Sequence, residues 1–258
     1  MAFFSNLFKK KNCSVCNGEI GLLGNRKLED GNLCKNCAAK LSPFFSDRRN
    51  STVQQITEQL EYREENKQAV AAFHITRTLG EATQVLVDED ACKFMVTDDR
   101  NIEKANPDVL DFSQVTSCRL NIEEDCSEDQ HQDEEGNYVS YNPPRYKFYY
   151  NFYITIGVNH PYFDEIQFQL NRISVDLTKG NSVPMHRKPN PEYNRDFKEY
   201  EDMGNEIVAI LIEGRQQARE VAQSAAAPKQ SVTCPYCKAP TIPDAQGRCE
   251  YCGGAIST

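Results

Sequence analysis

Long apolar runs are missing from this sequence. The longest, residues 207–212, has six residues, against the roughly 20 that a membrane-spanning helix needs. The motifs of the common catalytic classes are missing too. There is no phosphate-cradling Gly-x4-Gly-Lys loop, no His-Glu-x2-His, no Gly-x-Ser-x-Gly and no dinucleotide-binding glycine fingerprint. Histidine occurs four times, and His74, His131, His160 and His186 lie far apart, paired with no Cys or Ser. Catalysis needs positioned groups, so these absences point away from an enzyme. Positive charge is also short: 29 Lys and Arg face 38 Asp and Glu, a net charge of −9. Sequence-independent nucleic-acid binding relies on the opposite balance, which makes nucleic acid the weaker expectation for a partner. At the N-terminus the lysines follow the apolar residues, the reverse of a secretory signal, and the expected localisation is cytoplasmic.

Cysteine is what the chain has instead, and it comes in pairs. Cys13 and Cys16 are followed after seventeen residues by Cys34 and Cys37, and Cys234 and Cys237 after eleven by Cys249 and Cys252. Two residues between cysteines let both sulfurs of a tight turn face one ion, and two such turns supply the four thiolates of a closed structural zinc site. These eight of the eleven cysteines therefore predict two zinc ions per chain rather than a disulfide framework. Four thiolates leave no coordination position for a catalytic water. With both sites filled, the net charge falls to about −13.

Residues 1–11 form an amphipathic arm, with Phe3, Phe4, Leu7 and Phe8 on one side and Lys9, Lys10 and Lys11 after them. It suits either weak contact with a membrane surface or docking on the chain's own zinc module. In the module of residues 12–45, Gly18 is expected to take the positive φ of the first metal turn. Asp30-Gly31 signals a hairpin, and Cys34 opens a helix that Pro43 ends. Turn, hairpin and helix in that order make a treble clef. The run Cys-x2-Cys, Gly-Leu-Leu-Gly, Lys-Leu-Glu-Asp-Gly, Cys-x2-Cys-Ala and Leu-Ser-Pro-Phe-Phe resembles an uncharacterised bacterial zinc-finger family, a domain of unknown function, over about residues 10–75. The resemblance implies Cys13, Cys16, Cys34 and Cys37 as ligands and implies no activity. Residues 46–75 are a connecting segment. A capping box from Ser51 to Gln54 opens a helix to about Ala72, with Val53, Ile56 and Leu60 on one face and a solvated polar continuation beyond Leu60. Arg48 and Arg49, with the three lysines, form the one basic cluster suited to an anionic partner.

From about Thr76 the hydrophobic period changes to two. Residues 84–88 and 92–96 form a hairpin, and a strand follows at 116–122, so that Cys92 and Cys118 become buried small apolar residues. Residues 123–135, acidic at eight of thirteen positions and including Cys126, are expected to be a flexible surface excursion. In the strand of residues 146–158, Tyr146, Phe148, Tyr150, Phe152, Ile154, Ile156 and Val158 share the core face, leaving Tyr149 and Tyr153 outward. Ile166, Phe168 and Leu170 line the returning strand. Tyr193, Phe197, Tyr200, Gly204, Ile207 and Leu211 then make a helical stripe. Short antiparallel strands closed by one such helix resemble the bacterial pleckstrin-homology-like fold over residues 76–220, which implies a lipid, peptide or protein ligand without choosing among them. Residues 221–232 are a linker, and 233–258 a zinc ribbon with Gly253-Gly254 after its last pair.

The expected fold class is thus α+β: a treble-clef module and helix, a curved antiparallel sheet or barrel with a C-terminal helix, and a zinc ribbon. The expected function is a non-enzymatic scaffold or adaptor with a protein partner, the alternative being a nucleic-acid-binding zinc-ribbon protein. Loss of Cys34 is expected to unfold the first module and leave the strand domain melting cooperatively.

Overall fold

The computed structural model describes residues 11–21, 23–226, 231–244 and 246–256. Apart from Lys11, the expected arm of residues 1–11 lies outside them. The chain divides into two compact units, Met1–Gln216 and Gln217–Thr258.

The larger unit begins with two small hairpins, β1 (Lys11–Asn12) with β2 (Glu19–Ile20) and β3 (Arg26–Lys27) with β4 (Asn32–Leu33). The Asp30-Gly31 turn joins the second pair. A Cβ on Gly31 would lie 2.5 Å from Val53 Cγ2 and 2.6 Å from Ser14 Oγ, so the turn tolerates no side chain there. The helix after Cys34, α1 (Lys35–Ala38), is a single turn. It stops short of Pro43 because the chain leaves the helix to bury Leu41 and Ser42.

Helix α2 (Val53–Ala71) is capped one residue later than the spacing from Ser51 suggests. The box is formed by Thr52 and Gln55, while the Ser51 hydroxyl donates to Asp47 O at 2.8 Å. Asp30 also caps this helix, accepting from Val53 N–H at 2.7 Å. Its first half packs Val53, Ile56 and Leu60 on the core of the cysteine module.

Its second half is not solvated, contrary to the pattern. Arg63 and Asn66 are buried against the segment after α3 (Ile102–Ala105). Arg63 Nη1 donates to Asp108 Oδ1 at 2.7 Å, and its other nitrogens donate to Asn106 O and Lys40 O. Ser42 Oγ reaches the second Asp108 oxygen at 2.7 Å. Asn66 bonds Asn106, Pro107 and Val109. The face that carries no apolar stripe is buried by hydrogen bonds, which meets the demand of buried polar groups for partners.

Strands β5 (Arg77–Leu79), β6 (Gln84–Asp88), β7 (Lys93–Thr97) and β8 (Leu110–Asp111) form one antiparallel sheet in that order. The β6–β7 hairpin matches the expectation, but Cys92 sits in its turn at φ 55° and not inside a strand. A second sheet is built on β9 (Val115–Gln132) and β10 (Tyr138–Val158), with β11 (Glu165–Gln169), β12 (Val175–Asp176) and β13 (Val183–Pro184) on the other edge of β10. The acidic stretch is therefore mostly strand. Its backbone pairs with β10 from Val115↔Val158 out to Gln132↔Tyr138, and part of its charge is matched by Lys188 on Glu124 and Lys147 on Asp129.

Phe148, Tyr150, Phe152, Ile154, Ile156 and Val158 are buried on one face of β10, as the alternation requires, and Thr155 is buried from the opposite side. No closed barrel forms among the described residues; the two sheets remain separate. Helix α4 (Arg195–Ala226) covers both. Phe197 packs edge-on against Tyr150 and Phe152, and Tyr200 donates to Glu81. Tyr193, assigned to the stripe, precedes the helix and is exposed. Gly204 and Gly214 lie flat on Leu120 and Phe112, where a Cβ would come within 2.6 and 2.5 Å. The helix runs on to Ala226 through positions expected to be linker.

The smaller unit has one hairpin beyond the helix, β14 (Val232–Thr233) with β15 (Pro240–Thr241). Its buried cluster is only Cys234, Cys249 and Ile256, with Val232 against them.

Candidate metal centres

Three of the four Cys-x2-Cys segments adopt one turn. Cys13 N–H donates to Gly18 O at 2.9 Å, and Asn17 N–H returns to Cys13 O at 2.9 Å. Cys234 with Lys238 and Ala239, and Cys249 with Gly253 and Gly254, repeat both bonds within 0.1 Å. In each turn the residue after the second cysteine takes positive φ: 58° at Asn17, 63° at Lys238 and 70° at Gly253. The positive φ of the first turn thus belongs to Asn17 and not to Gly18. The fourth segment differs, with Cys34 as the N-cap of α1 and its sulfur accepting from Cys37 N–H at 3.3 Å.

These turns bring the expected cysteines together. Cys13, Cys16, Cys34 and Cys37 form one group and Cys234, Cys237, Cys249 and Cys252 the other, with the ligand atoms of each within 4.8 Å of one another. In the first group Ser14 N–H donates to Asn32 O at 2.7 Å and Asn32 N–H to Ser14 Oγ at 3.0 Å, which fastens the first turn to the β3–β4 hairpin. In the second, Asp244 accepts from Gln246 and Arg248 N–H and so shapes the loop leading to Cys249.

Sulfur separations test the fit to a metal. A tetrahedral ion with Zn–S bonds near 2.3 Å sets its sulfurs about 3.8 Å apart. The separations are 3.8 Å for Cys16 and Cys34, 3.6 Å for Cys234 and Cys252, and 3.7 Å for Cys237 and Cys249. All eleven cysteines are free thiols.

Electrostatics agree with this fit. Burial pushes the Cys13 thiol up, but the N–H groups of Cys16, Cys34 and Val15 outweigh it and bring its pKa to about 6. Burial, and then the neighbouring sulfurs, drive Cys37 far above the ordinary thiol range. At the other end, burial raises Cys249, yet the N–H groups of Cys252 and Tyr251 and the nearby sulfurs lower it to about 6. Cys252 receives the Gly254 N–H, which lowers it, but burial and its three sulfur neighbours push it up to about 12. In each group one thiol ionises readily, while another holds its proton against the charge of the rest. A divalent cation reverses that balance. Both groups fit an ion of the zinc type.

The remaining candidates do not converge. Cys92, Cys118 and Cys126 lie apart from both groups, and burial pushes the Cys118 thiol up to about 12. His160 stacks on Phe163 and meets the edge of Tyr62; burial lowers its pKa. A cavity of about 550 Å³ lies between Phe44, Thr97, Asp99 and Phe168, with no His or Cys in its lining. Arg63 is its one cation, and Asp108, Asn106 and Lys40 hold that side chain. The sequence pattern missed Arg26 and Lys27, which the β3–β4 hairpin sets beside Arg48 and Arg49; no local motif marks them.

The fold and the two sulfur groups define a mixed α/β protein with two metal-binding modules. Residues 11–59 match the model of a family described as a domain of unknown function, DUF4428. No curated protein and no solved structure matches the chain. No described helix is long and apolar enough to cross a membrane.

Proposed function

We propose that the protein is a non-enzymatic, cytoplasmic, zinc-binding scaffold or adaptor whose modules make protein–protein contacts. The observation that carries this reading is the closure of both sulfur groups. Four thiols at tetrahedral spacing in each group fill the coordination of zinc and hold the fold without taking part in a reaction. The eight cysteines Cys13, Cys16, Cys34, Cys37, Cys234, Cys237, Cys249 and Cys252 would be the ligands of two ions. The large cavity lacks paired nucleophile and base among its described lining residues, which supports a role without catalysis. The pleckstrin-homology-like reading of residues 76–220 belongs to this proposal as the body that presents a partner surface.

Elemental analysis tests the metal part, with two zinc ions per chain expected; one ion or none removes it. Capture from the native host tests the adaptor part. A protein partner retained after nuclease treatment and a high-salt wash is expected.

A second reading, nucleic-acid binding through the C-terminal ribbon, has one observation in its favour. Tyr236 and Tyr251, each 69% exposed, sit at equivalent places in two metal turns and offer faces on which bases stack. Capture abolished by nuclease, with affinity for single-stranded probes falling steeply with salt, would favour it over the adaptor.

A further inference from the structure

Arg26 and Lys27 on β3 meet Arg48 and Arg49 around one open groove of about 800 Å³, with Asn25, Leu28 and Glu29 completing its wall. Glu29 N–H donates to Ser51 O at 3.0 Å and holds the two segments side by side. Four cations gathered only for stability would be paired with carboxylates, of which the chain has a surplus. Among the described residues none of the four forms an ion pair, and Glu29 is the one carboxylate in the wall. Two polar atoms of the lining are buried with no partner in the protein, Arg48 Nη1 and Asn25 Oδ1. A buried guanidinium nitrogen without an acceptor is costly. The neighbouring charges of Arg26 and Arg49 add to that cost, and burial comes first among the causes that lower the Arg48 pKa. An oxyanion entering the groove relieves all of these at once, and arginine forks suit the tetrahedral oxygens of a phosphate.

We infer that the groove of Arg26, Lys27, Arg48 and Arg49 is a binding site for a phosphate group, carried by a free phosphate ester or by a lipid headgroup. This site is separate from the cysteine groups and independent of the adaptor reading.

The test uses the full-length, zinc-loaded chain with two probes: inorganic pyrophosphate in calorimetric titration, and phosphatidylcholine vesicles with or without phosphatidic acid in co-sedimentation. Arg49→Gln and Arg26→Gln are expected to weaken binding by about ten-fold or more, as loss of a charge-assisted bond implies. Arg48→Lys, which keeps the charge and loses the fork, is expected to fall between them and the unaltered protein. Arg172→Gln, an exposed cation outside the groove, is expected to bind as the unaltered protein does. Pyrophosphate binding without vesicle binding assigns a free ester; vesicle binding that needs phosphatidic acid and yields to pyrophosphate assigns a headgroup. Failure of both probes overturns the site, as does equal binding by the unaltered protein and the Arg49→Gln and Arg26→Gln variants. Binding of a short RNA with neither phosphate probe bound also overturns it.

Discussion

The residue after the second cysteine of each metal turn carries a conformational demand that can be isolated. At Gly253 a Cβ would meet nothing within 4 Å, so a side chain there costs only the strain of φ 70°. Gly253→Val is expected to destabilise the zinc-loaded ribbon by about 1–2 kcal/mol, measured as weaker zinc retention against a competing chelator. Asn17→Gly, relieving φ 58°, should be neutral or mildly stabilising, while Asn17→Val should cost about as much as the Gly253 change. A second residue sets a pH limit. Asp88 accepts from His74 N–H and Ala91 N–H, both at 2.9 Å. Burial raises its pKa, but these two bonds outweigh that and hold it below the usual value. The folded pKa being depressed, the contribution is complete above about pH 4 and is lost as pH falls through the folded value. Asp88→Asn should therefore be less stable than the unaltered protein at neutral pH, and the gap between their urea midpoints should close on acidification. A gap constant with pH would show that the charge of Asp88 adds nothing.

Helix α2 shows what a hydrophobic pattern can and cannot reveal. Val53, Ile56 and Leu60 were legible because apolar residues at helical spacing announce a buried face. Arg63 and Asn66 were not, because their burial rests on Asn106 and Asp108, more than 40 positions further on. The acidic half of β9 was hidden for a related reason: its extended form is imposed by β10, whose own alternation was plain. The cysteine groups were fully legible, since the ligand spacing is local and the ion needs nothing else. Gln59 offers a test of the buried polar face. It is fully buried, and neither amide atom has a partner in the protein. Gln59→Met keeps the length and removes the unpaired amide, so a rise in stability of roughly 1–2 kcal/mol is expected in chemical denaturation. The opposite result should follow for Arg63→Met, which strands Asp108 at 1% exposure and should cost about 3–5 kcal/mol. Arg63→Met combined with Asp108→Leu should recover part of that loss.

At the scale of the molecule, the two metal groups occupy unlike settings. The C-terminal ribbon has three buried residues as its core, far too little to fold a chain without the metal, whose binding supplies about 10–16 kcal/mol in small zinc modules. The N-terminal group sits in a unit that reaches Gln216, and Lys40 and Ser42, just past Cys37, are bonded into the Arg63–Asp108 network. The first module and the sheets should then melt together, unlike the separate melting that the sequence pattern alone suggests. Cys34→Ser is expected to halve the zinc content and to move the main calorimetric transition as a whole to lower temperature, with the ribbon's zinc affinity unchanged. Cys249→Ser should also halve the zinc content, yet leave that main transition within about 0.5 kcal/mol, as distant sites add independently. A strand transition left in place by Cys34→Ser would mean that the buried bonds around Asp108 do not couple module to sheet.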